Sequence, residues 1–352
     1  MQRLILHIGT SKTGTSALQE FFAQNRLLLE EAGVGYYQPS RPFYPMGAGN
    51  GVFLFRGVAD SITGKYRFQK QEDYAREFDA FVKYASARQT VLLSSEDFWQ
   101  YGCENRAFWP LLRDKATGAF GADVAIDLVV YLRRQDLFLY SRWKQDIKGS
   151  TTLRMGFRGW LERGMSRQME DYRRHLDKLS DVFGQKSVIV RRYAKDEDDE
   201  WDIFKDFCQA AGLSWTENYA RPAGPQNPSV SLAATRAMIA LRRGKANNKA
   251  ARTAGLWQQM AAIELFSALY PEDKTLYPLG LAERNALVQK YEEDNQCIAR
   301  TFLGEERLFP EVERAYPVCV RERDKIQSDA RILARLLGLP LERLRALQKE
   351  LS

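Results

Sequence analysis

The hydrophobic pattern of this chain changes period within its first thirty residues. Leu4 to Ile8 form a mostly apolar run with two β-branched residues, which is typical of a buried strand. The next segment, residues 9–16, consists of Gly, Thr, Ser and a single Lys. Apolar residues then recur at the helical period, at Leu18, Phe21, Phe22, Leu28 and Leu29. The pattern therefore predicts a strand, a polar turn and a helix in direct succession.

The two periods alternate along most of the chain. Runs dense in β-branched residues predict further strands at 34–37, 90–96, 126–132 and 186–193. Helical spacing predicts helices at 72–88, 203–213, 229–243, 253–269 and 281–302, and two Arg- and Leu-rich helices after Arg321, separated at Gly338-Leu339-Pro340. Residues 40–66 are rich in Gly, Pro and aromatic residues without a period, so we expect a loop over a ligand cleft there.

Alternating strands and helices of this kind indicate the α/β class. We expect a three-layer α/β/α arrangement around a central, mainly parallel sheet. Because no repeat or low-complexity tract divides the chain, residues 1–320 are expected to form one domain. Residues 321–352 are expected to form a helical C-terminal extension.

The turn at residues 9–16 has the composition of an anion-binding loop. Gly9 and Gly14 let the backbone direct N–H groups at an anion, and the following helix adds the positive end of its dipole. Short hydroxyl donors are offered by Thr13, Thr15 and Ser16. The loop therefore predicts a phosphorylated ligand.

The position of the lysine separates this loop from that of ordinary nucleoside triphosphatases. A Walker A loop carries its lysine directly after the second glycine, followed by a hydroxyl that binds Mg²⁺. Here Thr15 follows Gly14, and Lys12 lies inside the loop. The spacing therefore disfavours an ordinary ATPase or GTPase.

Two other predicted strands end in residues that suit a ligand. Glu96 ends the strand at 90–96, and we expect it at the same sheet edge as Lys12 because ligands bind at the carboxyl ends of parallel strands. Arg133 follows the strand at 126–132, and Ser141 comes eight residues later. That spacing is a short turn plus about two helical turns, which lets the hydroxyl approach an anion held by the guanidinium. The alternative is that both are ordinary surface residues.

With both motifs in place, the chain resembles the sulfotransferases that use 3′-phosphoadenosine 5′-phosphosulfate (PAPS), in particular the bacterial carbohydrate-type members. The resemblance covers residues 3–37, 89–99 and 126–148. It implies a P-loop-like fold in which Arg133 and Ser141 hold the 3′-phosphate of PAPS. The late Arg-Lys-Gly loop of cytosolic members has no clear counterpart, since Arg242-Arg243-Gly244-Lys245 is similar only in charge.

The resemblance also implies roles in the reaction. Sulfuryl transfer needs a deprotonated acceptor hydroxyl and a cation where charge collects on the leaving phosphate, and it requires no metal. Lys12 is the expected cation and Glu96 the expected base, with Asp97 as the fallback. Of the two histidines, His7 is expected to be packed core or loop support and His175 to lie on a helix surface. The expected 5′-phosphate contacts are Ser11, Lys12, Thr13, Gly14, Thr15 and Ser16.

The composition limits which binding partners and which cellular compartment we expect. The net charge of +7 is spread among carboxylates without a basic block interleaved with aromatics, so nucleic acid is not an expected partner. Four dispersed cysteines indicate neither a disulfide framework nor a zinc site. No apolar run approaches the roughly 20 residues of a membrane span, and the N-terminus enters the first strand directly, so we expect a cytoplasmic protein.

The acceptor and some alternatives stay open. Aromatic residues near the predicted cleft favour a hydroxyl on a glycan, a glycolipid or another small molecule. The C-terminal helices could pack on the domain, on a second subunit or on a membrane surface. A divergent P-loop kinase or NTPase would need an aspartate after an apolar strand, but Asp127 lies inside its strand. A nucleotide-binding protein without catalysis is the other alternative, and it would be favoured if 3′-phosphoadenosine 5′-phosphate (PAP) bound tightly while Glu96→Gln had no effect on sulfate transfer.

Overall fold

The chain forms two compact units. The computed structural model describes residues 2–10, 12–40, 49–64, 71–194, 198, 200–223, 230–243, 254–270, 277–310 and 323–351. The first unit comprises Met1–Arg134, Arg167–Gln226 and Tyr291–Pro310, and the second comprises Gln135–Ser166, Asn227–Lys290 and Glu311–Ser352. The expected domain boundary at residue 320 lies outside the described residues.

A five-stranded parallel sheet forms the centre of the first unit. Its strands are β1 (Arg3–His7), β2 (Val34–Tyr36), β3 (Thr90–Ser94), β4 (Ala125–Leu132) and β5 (Val188–Arg192). Their spatial order is β2-β3-β1-β4-β5, and every neighbouring pair is parallel. In register, His7 of β1 lies opposite Ser94 of β3 and Val129 of β4. The carboxyl ends of these three strands therefore meet at one edge.

Helices cover both faces of this sheet. Successive residues of β1 belong to different apolar clusters, since Leu4 and Leu6 pack in one and Ile5 packs in the other with Phe21 and Phe207. This double burial explains why the strand is apolar at consecutive positions. The helices of the first unit are α1 (Thr15–Gln24), Arg26–Glu31, Val52–Thr63, Gln71–Ser86, Asp97–Glu104, Phe108–Phe120, Tyr172–Phe183, Ile203–Ala210 and Glu292–Ile298. The expected three-layer α/β/α class is confirmed.

The expectation of a loop throughout residues 40–66 is wrong, because Val52–Thr63 is a helix. It buries Phe53, Leu54 and Val58 on one face. Gly57 lies inside this helix, where its lack of a side chain leaves room for Tyr74. A Cβ at that position would overlap the Tyr74 ring from a neighbouring helix. The glycine is thus needed for close helix packing, although in the sequence it suggests a loop.

The second unit is helical. Its helices are Gln135–Lys148, Phe157–Glu162, Leu232–Arg243, Leu256–Leu269, Leu281–Gln289, Arg323–Leu337 and Leu341–Leu351. The two C-terminal helices and the break between them agree with the predicted pattern, whereas the predicted helix at 281–302 is interrupted after Gln289. Within the described ranges, no helix has the length and apolar character needed to cross a membrane.

Candidate functional site

The candidate site is the loop that joins β1 to α1. Lys12 adopts a φ of 71°, in the left-handed region that disfavours side chains other than glycine. Such a conformation costs on the order of 1 kcal/mol and persists only where the surroundings hold it. Arg133 does so, because its Nη1 donates a hydrogen bond to the Lys12 carbonyl oxygen at 3.1 Å. The strand-end arginine is therefore a direct support of the loop.

Both glycines of the loop are required by close contacts. Gly14 has a φ of 79°, and a Cβ there would lie 2.5 Å from Cδ1 of Ile203. A Cβ on Gly9 would lie 2.6 Å from Oγ1 of Thr15 and 2.9 Å from Nε2 of His7. A larger residue at Gly9 would crowd the start of α1, and one at Gly14 would be strained by its positive φ and would crowd Ile203.

The N-terminus of α1 faces this loop without a side-chain cap. Gly14 is its N-cap residue, and no side-chain hydrogen bond caps the helix within the described part of the chain. Thr15 is 3% exposed, and its Oγ1 has no hydrogen-bond partner among the described residues. Backbone N–H groups at a helix N-terminus together with a buried hydroxyl fit a phosphate group.

The other predicted phosphate contacts differ from one another. Thr13 is buried, and its hydroxyl donates to the Thr10 carbonyl at 2.6 Å, so it shapes the loop from within. Ser16 is half-buried in the first turn of α1. Ser11 lies outside the described residues.

A buried polar network supports the loop from β1 and β3. His7 Nδ1 lies 2.8 Å from Ser94 Oγ, which also accepts a hydrogen bond from Gln19 Nε2 at 3.2 Å. Burial lowers the pKa of His7 to about 3, so its ring is neutral. Either His7 Nδ1 donates to Ser94 Oγ or it accepts the serine proton, according to the tautomer of the ring, and Nε2 is buried without a hydrogen-bond partner among the described residues. His7 is thus packed loop support, as expected.

Two tyrosines fix Arg133. The hydroxyl of buried Tyr172 donates to the Arg133 carbonyl at 2.7 Å, and the guanidinium carbon lies 5.5 Å from the ring centre of Tyr193. The Tyr193 ring also comes within 3.3 Å of where a Cβ on Gly14 would stand. Sequence reasoning did not assign Tyr193 to the site, although it follows β5 directly and so obeys the strand-end rule that singled out Glu96.

Two carboxylates lie just beyond β3. Glu96 is exposed and is the N-cap residue of the helix Asp97–Glu104. Asp97 is largely buried, and burial raises its pKa, while the Ser95 hydroxyl and the nearby positive charge of Arg56 oppose that rise. The structure thus places both base candidates at the carboxyl edge of the sheet. Arg56 was missed because it belongs to the helix that the sequence suggested was a loop.

The second half of the predicted 3′-phosphate pair belongs to the other unit. Ser141 is half-buried on the helix Gln135–Lys148 of the second unit, whereas Arg133 closes β4 of the first. Each is described within its own unit, so their joint role stays a prediction.

The first residue of the basic run at 242–245, Arg242, has a structural role. Arg242 donates hydrogen bonds to the carbonyl oxygens of Ile147, Ser150 and Leu153 and to Oε1 of Gln259. Burial lowers the pKa of Arg242 to about 10. Gly244 and Lys245 lie outside the described residues. Arg242 therefore anchors the backbone that follows the helix Gln135–Lys148.

The expectation that His175 lies on a helix surface is wrong. It is 2% exposed, and its ring packs edge-on against Trp99. Its Nε2 lies 2.9 Å from the Gln168 carbonyl, to which it can donate. Its two neighbouring arginines suggested an exposed face, but the next residue, Leu176, belongs to the buried stripe as well.

Comparisons with known proteins give little beyond these observations. No protein-family model matches the chain. An uncharacterized protein of Archaeoglobus fulgidus is 28% identical over 185 residues, which are 52% of this chain and 47% of that protein, so the chain spans about half the relative's length. A crystal structure of a sulfotransferase from Alicyclobacillus acidocaldarius aligns over 78% of this chain and 97% of that one, at 16% identity and a TM-score of 0.37. So low a score carries no argument about function.

Proposed function

We propose that this protein is a PAPS-dependent O-sulfotransferase that acts on a hydroxyl of a carbohydrate or glycolipid. The observation that carries the proposal is the hydrogen bond from Arg133 to the Lys12 carbonyl. It joins the two sequence motifs beside an uncapped helix N-terminus and the buried hydroxyl of Thr15. Two motifs that lie 121 residues apart in the sequence thus meet at one loop.

The residues would divide the work as follows. The backbone of residues 11–16 and the hydroxyls of Thr15 and Ser16 would hold the 5′-phosphate, and Arg133 with Ser141 the 3′-phosphate. PAPS supplies the sulfuryl group. Lys12 would stabilise the charge that develops on the bridging oxygen as its bond to sulfur breaks. Glu96 would take the proton of the acceptor hydroxyl as the new oxygen–sulfur bond forms, with Asp97 as the alternative base.

The contacts of Asp127 count against the kinase or NTPase alternative. This aspartate is opposite Ile5 within the sheet, and its carboxylate accepts a hydrogen bond from Arg3 Nε at 2.6 Å. Asp127 is thus paired with Arg3 inside the sheet, two residues before Val129, which lies opposite His7 at the end of β1. A Mg²⁺-binding aspartate is expected after its strand.

Calorimetry with 3′-phosphoadenosine 5′-phosphate (PAP), ATP and GTP tests the proposal. PAP should bind without Mg²⁺ and more tightly than ATP or GTP. Arg133→Ala should weaken PAP binding by about tenfold or more, because a charged hydrogen bond contributes roughly 1.5–3 kcal/mol. Arg192→Ala, which removes an arginine paired with Glu305 on the surface, is the matched control and should leave PAP affinity unchanged. Equal PAP affinity in wild type and Arg133→Ala would contradict the proposed role of Arg133 in holding the 3′-phosphate.

A further inference from the structure

A large cleft in the second unit is lined by arginines. Its volume is about 1540 Å³, beyond the roughly 300–1,000 Å³ of ordinary small-molecule pockets. The arginines that line it are Arg158, Arg163, Arg236, Arg243, Arg331 and Arg335. Among its described lining residues, Glu162 is the one acidic side chain. The cleft is therefore strongly positive, although the chain as a whole carries only +7 over 352 residues.

The arginines come from three separate segments, two from each. One pair lies in and just after the helix Phe157–Glu162, a second on the helix Leu232–Arg243, and a third on the helix Arg323–Leu337. Arg331 and Arg335 are one helical turn apart, so they share a face of this helix, and Ala330 and Ala334 also line the cleft. The fold thus brings together charges that are about 180 residues apart along the chain, from Arg158 to Arg335.

The described partners of two of these arginines leave most of their charge in place. Arg158 pairs with Glu283 at 2.6 Å, but both side chains are exposed, and such pairs contribute little. Arg243 donates its Nε proton to the carbonyl oxygen of Arg154, which leaves its charge in place. Like charges around a concave surface focus a field that attracts anions. A ligand with several negative charges would relieve their mutual repulsion.

The chemistry of the lining selects among anionic ligands. Within the described lining there is no lysine, and the guanidinium fork suits two-point binding of sulfate, phosphate or carboxylate groups. Its aromatic residues, Trp143 and Phe157, are 1% and 3% exposed, so they offer no face on which nucleobases could stack. Small apolar residues such as Ala330, Ala334 and Gly159 lie between the arginines. An inorganic polyphosphate has no apolar part to match them, whereas a sugar ring does.

We propose that this cleft binds an acidic oligosaccharide, a chain of sugar units that carry sulfate or carboxylate groups. The arginines bind the acidic groups, and the small apolar residues contact the C–H faces of the sugars. A flat bilayer reaches the rim of a concave surface but not its floor, which favours a soluble ligand. The proposal depends only on the second unit and does not require the sulfotransferase function.

Binding of fluorescent oligosaccharides to the full chain tests the proposal, in the absence of any nucleotide. The probes are an oligogalacturonate, a dextran sulfate oligomer and a neutral maltooligosaccharide of equal length. Both acidic probes should bind with affinities that fall as salt rises, and the neutral one should not bind. Arg331→Glu/Arg335→Glu should weaken acidic binding by about tenfold or more. Arg163→Glu, from a different segment, should weaken it as well.

The matched control is Arg343→Glu/Arg345→Glu. These arginines are exposed on the helix Leu341–Leu351, outside the cleft lining, and the double substitution changes the net charge by the same amount. It should leave affinity within about twofold, as expected for screened surface charges. An equal loss in this control would overturn the proposal. Binding of tripolyphosphate, single-stranded DNA or phosphatidylglycerol vesicles, with none to either acidic oligosaccharide, would overturn it too.

Discussion

The two units of this protein differ in what surrounds their buried charged groups. The first is built on a parallel sheet between two apolar clusters, where the histidine buried in β1 is neutral and the buried Glu77 accepts hydrogen bonds from Tyr37 and Ser40. The second buries full charges, since Asp136 pairs with Arg284 at 2.6 Å and both are essentially inaccessible. Lys148 pairs with Glu264 in the same unit. Apolar packing thus defines the first core, whereas paired charges contribute to the second.

The candidate anion sites of the two units differ in the same way. The loop of the first unit offers backbone N–H groups and a short hydroxyl from one contiguous stretch, as a candidate site only. The cleft of the second unit uses long side chains from three distant segments. A site made of backbone is therefore visible in the sequence, while a site made of side chains appears only after folding.

The largest expected effect follows from breaking the buried pair of the second unit. Arg284→Met should lower the free energy of unfolding by about 3–5 kcal/mol, because it leaves the Asp136 carboxylate buried without its counter-charge. Urea unfolding measures this change. Arg300→Met, which breaks an exposed pair with Glu306, should cost less than about 1 kcal/mol. A loss as small as in this control would show that the second unit does not depend on its buried charges.

The next effect concerns the loop of the first unit. Lys12→Ala should lower the rate of sulfuryl transfer about 10²- to 10³-fold, since it removes the cation proposed to stabilise the leaving phosphate. Labelled PAPS and a panel of glycan acceptors provide the assay. Lys205→Ala removes an exposed lysine that pairs with Glu217 and should leave the rate unchanged. Unaltered transfer in Lys12→Ala would contradict the assigned role.

A somewhat smaller effect separates the two carboxylates beyond β3. Glu96→Gln should lower turnover about 10²-fold, a typical contribution of a general base, while PAP binding is kept. Asp97→Asn is the matched variant, because it removes the neighbouring carboxylate whose pKa is raised by burial. If Asp97→Asn lowers turnover and Glu96→Gln does not, the base is Asp97.

The smallest effect tests the neutral histidine under the loop. With a native pKa of about 3 and an unfolded value near 6.5, His7 takes up a proton on unfolding between these two pH values. The stability linked to neutral His7 is therefore fully present above about pH 6.5. It falls as pH decreases, by up to about 1.4 kcal/mol per pH unit. Unfolding at pH 7 and pH 5 should show a drop about 1–2 kcal/mol larger in wild type than in His7→Gln. Equal drops in the two proteins would mean that folding does not lower the pKa of His7.

Local sequence patterns predicted the sheet and the loop well. The central strands β1, β3 and β4 are mostly apolar runs, because both of their faces are largely buried, and the strand–turn–helix of the loop is contiguous. The helix Val52–Thr63 was missed because the Gly-, Pro- and aromatic-rich composition of residues 40–66 suggests a loop, although one of those glycines, Gly57, allows close packing against Tyr74. His175 was misplaced because its burial depends on Trp99, which lies 76 residues earlier in the chain. Contacts of this kind have no local signature.

The end of the helix Leu232–Arg243 carries two adjacent arginines with unlike duties. Arg242 donates to three carbonyl groups between Ile147 and Leu153, whereas Arg243 is exposed and lines the cleft. A variant that replaces both arginines would alter the local fold and the charge of the cleft at the same time, so the two effects could not be separated. Substituting Arg243 alone changes the charge of the cleft, while substituting Arg242 withdraws the anchor of a backbone segment.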